Sequence, residues 1–426
     1  MNQSEKILLG REERALLIKK YLNDYKTVVS LKANMPGNDK NSYLSYLLIN
    51  AFSFLISKFK CEEYSYNYNN DGPFVLFLFK EDISKDIKLK CIEIEETHSL
   101  GRFVDIDVYN TQGSSARNKK RKCLICNDIA FNCMKINKHS SHEIIDIIEK
   151  ETKDYYYHKL DEMIDESILA ELNLDPKFGL VTPNSSGSHP DMNYDLMIKA
   201  KNAIKPKIIG LFFKSLERNY NKSLLESLKN IGKSAETDMF KATGGINCYK
   251  GLIFNLGIVI SAYAIKISRY SYDNIFTISK NIAQDLVKDY NFDSQSFGDM
   301  AYRKFGIFGI RGEALSGFKN VQNGINLLRN FNSKTLLELL VYYIIHIEDT
   351  TLLKRAKDIN LYNSVKKMFS KLDLNSNEQI NLLNDFCIGN NLSFGGSADL
   401  LVVSVFLKKI DNLGINIFID NNIPKI

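Results

Sequence analysis

The sequence predicts two domains, a mixed α/β unit over residues 1–152 and an all-α helical unit with glycine-rich loops over 153–426. Three observations carry this. Strand-forming runs are confined to the first third, whereas long segments with a 3.6-residue apolar period fill the chain after Asp154. At 426 residues the chain exceeds what one hydrophobic core usually serves. Ten of the 23 glycines fall within 243–257, 306–317 and 395–396, each stretch with a charged residue in or beside it, so the three loops are candidates for one shared site.

Taken in order, residues 5–24 read as an amphipathic helix and 26–34 as a strand. Asn34-Met-Pro-Gly-Asn38 breaks the pattern, as Pro and Gly should. Helical spacing returns over 41–60, and short runs rich in β-branched or aromatic residues predict strands at 74–79, 88–94 and 102–109. A helix is expected at 142–150, with the domain boundary near 150–155. Beyond it, helical periods run through 197–230, 252–267, 335–347 and 397–410.

Composition excludes several classes. Hydrophobic content of 44% with 25% charged residues is ordinary for a globular protein. A net charge of +6 suits anionic ligands or an acidic partner and does not point to nucleic acid. No basic stretch followed by a long apolar one opens the chain, and the uncharged apolar run 252–265 is shorter than the roughly 20 residues a bilayer needs, so no membrane partner is expected. Seven unevenly spread cysteines argue for a reducing cytoplasm over a disulfide framework.

The stretch Lys241-Ala-Thr-Gly-Gly-Ile-Asn-Cys-Tyr-Lys-Gly251 precedes an apolar helix. Glycines there let backbone approach a ligand closely, and helix N–H groups with Lys250 beside them favour a phosphate. A tight helix–helix turn is the plainer reading. The spacing is not that of a Walker A loop. In the first third, Asp105 and Asp107 share one face of a predicted strand while Val104, Ile106 and Val108 share the other. Such a pair fits a Mg²⁺ that also touches a triphosphate, or else a solvated edge strand. Cys123, Cys126, Cys133 and His139 are a candidate zinc set, with buried packing as the alternative. The basic run Arg117, Lys119, Lys120, Arg121, Lys122 is either a solvated loop or a docking site for a triphosphate or an acidic protein.

Two groups of motifs together resemble a pair of enzyme families. Arg11-Glu-Glu-Arg14, Asn34-Met-Pro-Gly37 with Lys40, Gly101-Arg-Phe-Val-Asp-Ile-Asp107, and the cysteine set with His139 are similar to the apo-citrate lyase phosphoribosyl-dephospho-coenzyme A transferase family. Pro176-Lys-Phe-Gly-Leu-Val181, Gly187-Ser-His-Pro-Asp-Met192, Ala235-Glu236, Ala242-Thr-Gly-Gly-Ile-Asn247 and Lys250-Gly251 resemble the triphosphoribosyl-dephospho-coenzyme A synthase family. Gly309-Ile-Arg-Gly-Glu-Ala314, Asp349-Thr350 and Gly395-Gly-Ser-Ala-Asp-Leu400 continue that second likeness. The synthase pattern's Thr-His stands here as Cys248-Tyr249, and its Asp-Thr-Asn as Asp349-Thr-Thr351.

The resemblance implies a bifunctional transferase that makes and attaches the citrate lyase prosthetic group. Its second half would join ATP to 3′-dephospho-coenzyme A, giving 2′-(5″-triphosphoribosyl)-3′-dephospho-coenzyme A and adenine. Its first half, a nucleotidyltransferase-like mixed sheet with helices, would move that product to a serine of the citrate lyase acyl carrier subunit with release of pyrophosphate. Asp105 and Asp107 would hold Mg²⁺, and Glu236, Glu313, Asp349 and Asp399 are the catalytic carboxylates of the second half, with Asp191 beside His189 a weaker candidate. Arg102, Thr243, Gly244, Gly245, Asn247, Lys250, Arg311, Gly395, Gly396 and Ser397 are the substrate- and phosphate-binding candidates. The alternatives are the equivalent malonate decarboxylase system and a non-catalytic protein that binds nucleotide and carrier.

Overall fold

The computed structural model describes residues 1–114, 121–126, 128–216, 221–269, 273–287 and 296–411. Strands Thr27–Ala33 (β1), Glu63–Asn69 (β2), Gly72–Phe79 (β3), Val104–Asn110 (β4) and Gly113–Ser114 (β5) form one sheet in the order β2-β3-β1-β4-β5. Every pairing among them is antiparallel, which corrects the expected mixed sheet. The cause is local: β2 and β3 form a hairpin across Asn70 and Asp71, which returns β3 beside β1 in the opposite direction.

Helices Gln3–Tyr21 (α1), Tyr43–Ser57 (α2), Ser84–Thr97 (α3), Ala130–Lys135 (α4) and Ser141–Leu172 (α5) accompany the sheet. One sheet face carries Val29, Leu31, Phe77, Val104, Ile106 and Val108 into a core shared with α2, α3 and the start of α5. Among the described residues the other face is covered in part, where Ile18 of α1 packs on Val28, Phe74 and Leu76. Asp105 and Asp107 lie on that second face with solvent beside them. The segment 88–94, expected as a strand, belongs to α3. Its Lys-x-Lys-x-x-Glu alternation imitates a strand, but Ile87, Cys91 and Glu95 are buried at intervals of four, which only a helix brings to one side. β2 was not foreseen.

The later helices are Tyr194–Ser215 (α6), Lys222–Thr243 (α7), Lys250–Arg269 (α8), Ile275–Val287 (α9), Phe297–Phe305 (α10), Ile310–Leu315 (α11) and Lys319–Gly324 (α12). Then come Ser333–His346 (α13), Thr350–Ala356 (α14), Ile359–Phe369 (α15), Asn377–Gly389 (α16) and Gly395–Asp411 (α17). Asparagine starts several of them: Asn193, Asn221 and Asn332 each accept a backbone N–H three residues on. The region predicted helical over 197–230 is thus two helices. By length and composition Lys250–Ser268 matches a membrane span, yet 89% of it is buried among the other helices, where it serves as the core rod.

α5 starts at a Ser140/Glu143 capping box and runs without a break through the boundary expected near 150–155. Ile148 packs in the core under the sheet, while Tyr156, Leu160 and Ile164 pack in the helical core. The Tyr156 hydroxyl donates to the Leu47 carbonyl at 2.9 Å, and Asn50 of α2 donates to Tyr156 at 3.2 Å.

Candidate functional site

A cavity of about 1100 Å³ opens in the helical part. The three glycine-bearing regions meet around it: Asn247, Lys250 and Gly251 from the first, Ile310 and Arg311 from the second, Gly395, Gly396 and Asp399 from the third. Glu236 of α7 also lines it and pairs with Lys250 at 3.0 Å. The Asn247 side chain accepts the Lys250 N–H at 3.1 Å, which fixes where α8 begins. Arg311 pairs with fully buried Asp299 at 2.7 Å.

Asp399 is enclosed in this wall. Burial pushes its carboxyl well above the usual range, and the Asp349 and Glu171 charges push it further. It packs against Gly251, where a β-carbon would stand 2.2 Å from Oδ2. Tyr249 lies beside it in the wall, buried, with no hydrogen-bond partner for its hydroxyl among the described residues.

Other expected residues lie behind the wall. Asp349 caps α14 by accepting from Thr351 N at 2.9 Å and Leu352 N at 3.2 Å. Its second oxygen accepts from Ser397 N at 2.9 Å and Ser397 Oγ at 3.0 Å. This joins α14 to α17 and presses Gly396, whose added β-carbon would stand 3.1 Å from the carboxyl, against Asp349. Glu313 is buried away from the cavity, accepting both the backbone and side-chain N–H groups of Asn320, and burial raises its pKa. Thr243, Gly244 and Gly245 are also absent from the lining. Gly244 ends α7 with φ +66°, and Thr243 donates to the Met239 and Ile246 carbonyls, so these three residues shape a helix–helix turn. Of the expected phosphate ligands Thr243, Gly244 and Gly245 and the expected catalytic carboxylate Glu313, none lies in the cavity lining.

The wall also holds groups that sequence reasoning left out of the site. Lys177 and Glu171 form a buried ion pair at 2.8 Å, and burial lowers the lysine pKa. His189 Nδ1 takes a hydrogen bond from Arg355 at 3.0 Å, while its Nε2 lies 2.8 Å from Ser393 Oγ. Because a guanidinium only donates, Nδ1 accepts and Nε2 carries the proton. Burial, with the Arg355 charge adding to it, lowers the imidazole to about 4, which keeps it neutral. The signal for these residues was present, since Lys177 and His189 lie in two of the quoted motifs.

On the open face of the sheet, Asp105 pairs in register with Lys32 and Asp107 with Ser30. Burial pushes the Asp107 carboxyl up, and the neighbouring Asp105 charge adds to it, although the residue keeps an exposed edge. Buried Asp71, in the β2–β3 turn, gathers Arg11 at 3.3 Å, Arg14 at 3.0 Å and Lys32. Burial lowers Lys32 to about 8 despite that bond. One carboxylate among three cations leaves this corner positive beside an acidic pair. A smaller cavity of about 220 Å³ lies there, lined by Arg11, Arg14, Lys19, Tyr109, Asn110 and Gly113.

Arg102 does not face that corner. Its guanidinium donates to the carbonyls of Lys122 at 2.8 Å and Cys123 at 2.6 Å. Cys123, Cys126, Cys133 and His139 bring one ligand atom each to within 4.8 Å of one another, a Cys₃His cluster. Of the basic run, Arg121 and Lys122 are described, while Arg117, Lys119 and Lys120 lie outside the described residues.

Comparison with known proteins assigns both halves. The model of the ATP:dephospho-CoA triphosphoribosyl transferase family (CitG) matches residues 158–417, and that of the apo-citrate lyase phosphoribosyl-dephospho-CoA transferase family (CitX) matches residues 2–155. The protein CitXG of Leuconostoc mesenteroides subsp. cremoris is 31% identical, over 95% of this chain and 96% of its own length. Protein CitXG of Haemophilus influenzae is 28% identical, over 94% of this chain and 95% of its own. A probable 2-(5″-triphosphoribosyl)-3′-dephosphocoenzyme-A synthase of Lactiplantibacillus plantarum is 30% identical, over 57% of this chain and 93% of its own. The chain is therefore a transferase of citrate lyase prosthetic-group synthesis, and it belongs to the triphosphoribosyl-dephospho-CoA transferase family in its fused CitXG form.

Proposed function

We propose that this chain carries out two consecutive reactions, with the synthase in residues 153–426 and the transferase in residues 1–152. In the first, the 2′-hydroxyl oxygen of 3′-dephospho-coenzyme A bonds to the ribose C1 of ATP. The bond from C1 to adenine breaks, and adenine leaves with a proton. In the second, a serine oxygen of the acyl carrier subunit bonds to the α-phosphorus of that product, and pyrophosphate departs. The observation that carries this reading is the meeting of Glu236, Lys250, Arg311 and Asp399 around one large cavity, separate from the Asp105–Asp107 face.

Environment divides the roles. Glu236, ion-paired with Lys250 and partly open to solvent, is the carboxylate placed to take the proton of the attacking hydroxyl. Asp399, whose carboxyl burial pushes toward the protonated form, is suited to donate one to departing adenine. Lys250 and Arg311 neutralise phosphate charge, and the Tyr249 hydroxyl, without a partner among the described residues, suits a polar group of the nucleotide. In the second reaction the positive corner around Arg11, Arg14 and Lys32 suits the phosphates next to Asp105 and Asp107.

Two hard oxygen donors on one strand face fit Mg²⁺, which would screen triphosphate charge during attack. The Cys₃His cluster fits zinc by ligand type and spacing. ATP as substrate and free thiols go with a cytoplasmic setting. The match to an apo-citrate lyase transferase favours the citrate lyase carrier over its malonate decarboxylase counterpart.

Incubation of the purified chain with ATP and dephospho-coenzyme A should form adenine, seen by chromatography. Adding the apo-carrier should then raise its intact mass by the prosthetic group. Adenine without carrier labelling would confine the reading to the first reaction, and neither product would overturn it.

A further inference from the structure

Arg121 precedes the first cysteine of the Cys₃His cluster by two residues. Its guanidinium reaches the Asp105 carboxylate at 2.6 Å, the Glu95 carboxylate at 2.7 Å and the Val104 carbonyl at 3.1 Å. Glu95 in turn accepts the Ile106 N–H at 3.0 Å, and Lys88 donates to the Ile106 carbonyl at 3.1 Å. Among the described residues β5 pairs with Tyr109 and Asn110, and these side chains take up the edge groups of β4 at Ile106. Arg121 thus braces the edge of β4 at the position of the acidic pair.

What holds Arg121 there is the segment carrying the cluster. Ala130 N donates to the Arg121 carbonyl at 2.9 Å, Cys123 N donates to the Asp128 carbonyl at 2.7 Å, and Lys122 bridges Ile129. Arg102 grips the same turn through the Lys122 and Cys123 carbonyls. Yet the segment has little core of its own. Phe131, Met134 and Ile136 are exposed at 67%, 73% and 68%, so apolar burial does not close it. Among its described residues the buried side chains are Cys123 and Cys133, with Cys126 Sγ 3.4 Å from Cys133 Sγ and 3.3 Å from His139 Nε2. Three sulfurs and an imidazole at such spacing suit a tetrahedral ion with ligands about 2–2.3 Å from it. Small segments short of core commonly fold on such an ion.

We propose that a zinc ion closing this knuckle holds Arg121 on Asp105, so that the carrier-transfer half depends on a metal that never meets the substrate. Arg121 is then a positioning residue. The inference rests on the assignment of Asp105 and Asp107 to the transfer step.

The full chain, purified without chelator, should hold about one zinc, measured by elemental mass spectrometry. A zinc-selective chelator that spares Mg²⁺ should lower carrier labelling from pre-made triphosphoribosyl-dephospho-coenzyme A at least about tenfold, while adenine formation stays within about twofold. Re-added zinc should restore labelling. Cys133→Ser should lose the metal, Cys133→His should keep both metal and labelling, and Arg121→Gln should keep zinc but label slowly. Hydrogen exchange at Ile106 and across 121–130 should quicken on zinc removal, a readout independent of turnover. A chain that binds neither zinc nor cobalt overturns the proposal, as does a zinc-free chain with native labelling or native exchange at Ile106. A zinc-loaded chain that never labels carrier, yet shows the exchange change, overturns the transfer reading and leaves the knuckle's hold on β4 standing.

Discussion

The carboxylate of Asp399 rests against the α-carbon of Gly251, so closely that a β-carbon there would stand 2.2 Å from Oδ2. Gly251→Ala should displace that carboxyl and lower the turnover of adenine formation on the order of a hundredfold, the scale of an ångström's misplacement. Gly244→Ala is the contrast. A β-carbon at Gly244 meets nothing within 4 Å, so its φ of +66° should cost about 1 kcal/mol of stability while ATP affinity holds. Equal ATP kinetics in the two variants would remove the distinction between cavity glycine and turn glycine.

Lys250 should act on binding. It pairs with Glu236 at the cavity wall but is more than half exposed, so solvent screens part of its charge. Lys250→Ala should therefore weaken ATP binding about tenfold, the lower end for a hydrogen bond to a charged group. Calorimetry of ATP binding reads this directly, and a native affinity would return Lys250 to a surface ion pair.

The two halves should part under mutation. Asp105→Asn or Asp107→Asn should abolish transfer to the carrier serine while adenine release continues, because the pair lies on the sheet face and not in the large cavity. Intact-mass analysis of the carrier decides it. Full labelling by both variants would end the metal assignment.

His189 gives a pH signature. Its folded pKa, about 4, lies below the ordinary 6.5, chiefly through burial, so the unfolded chain binds the extra proton between those values. Stability from this residue is present above about 6.5 and is lost as pH falls toward 4, by about 3 kcal/mol in all. Denaturant midpoints should drop more steeply over that window in the native chain than in His189→Asn. Parallel curves would show that His189 charges as easily folded as unfolded.

The α/β-then-helical plan was legible because strand runs such as Gly72–Phe79 and core helices such as Gly395–Asp411 are long and strongly apolar. Helix α3 was misread because Lys88, Leu89, Lys90, Cys91 and Ile92 alternate over too short a window to separate the two periods. The strand Glu63–Asn69 escaped because its glutamate, serine and asparagines resemble a loop, and only its pairing with β3 reveals it.

Within the site, spacing revealed which loops carry charge but not which way each residue faces. Glu313 and Asp399 look alike in sequence, each an acid close behind a glycine, Glu313 directly after Gly312 and Asp399 three residues after Gly396. One binds Asn320 behind the wall and the other faces the cavity. Glu171 was harder still, because it lies outside the quoted motifs and a buried ion pair with Lys177 has no local period.

The unbroken α5 has a consequence for how such a chain can be taken apart. At about 1.5 Å per residue its 32 residues make a beam of roughly 48 Å, rooted at one end under the sheet and at the other in the helical core. Two enzymes joined by a loose tether can be cut free and still work. Here the seam itself carries the join: severing it after residue 152 and parting the halves would strip Tyr156 of the Leu47 and Asn50 groups of α2 that it bonds and leave Ile148 on a frayed stub. The two halves share this girder, and either one taken alone would need a new surface along the break.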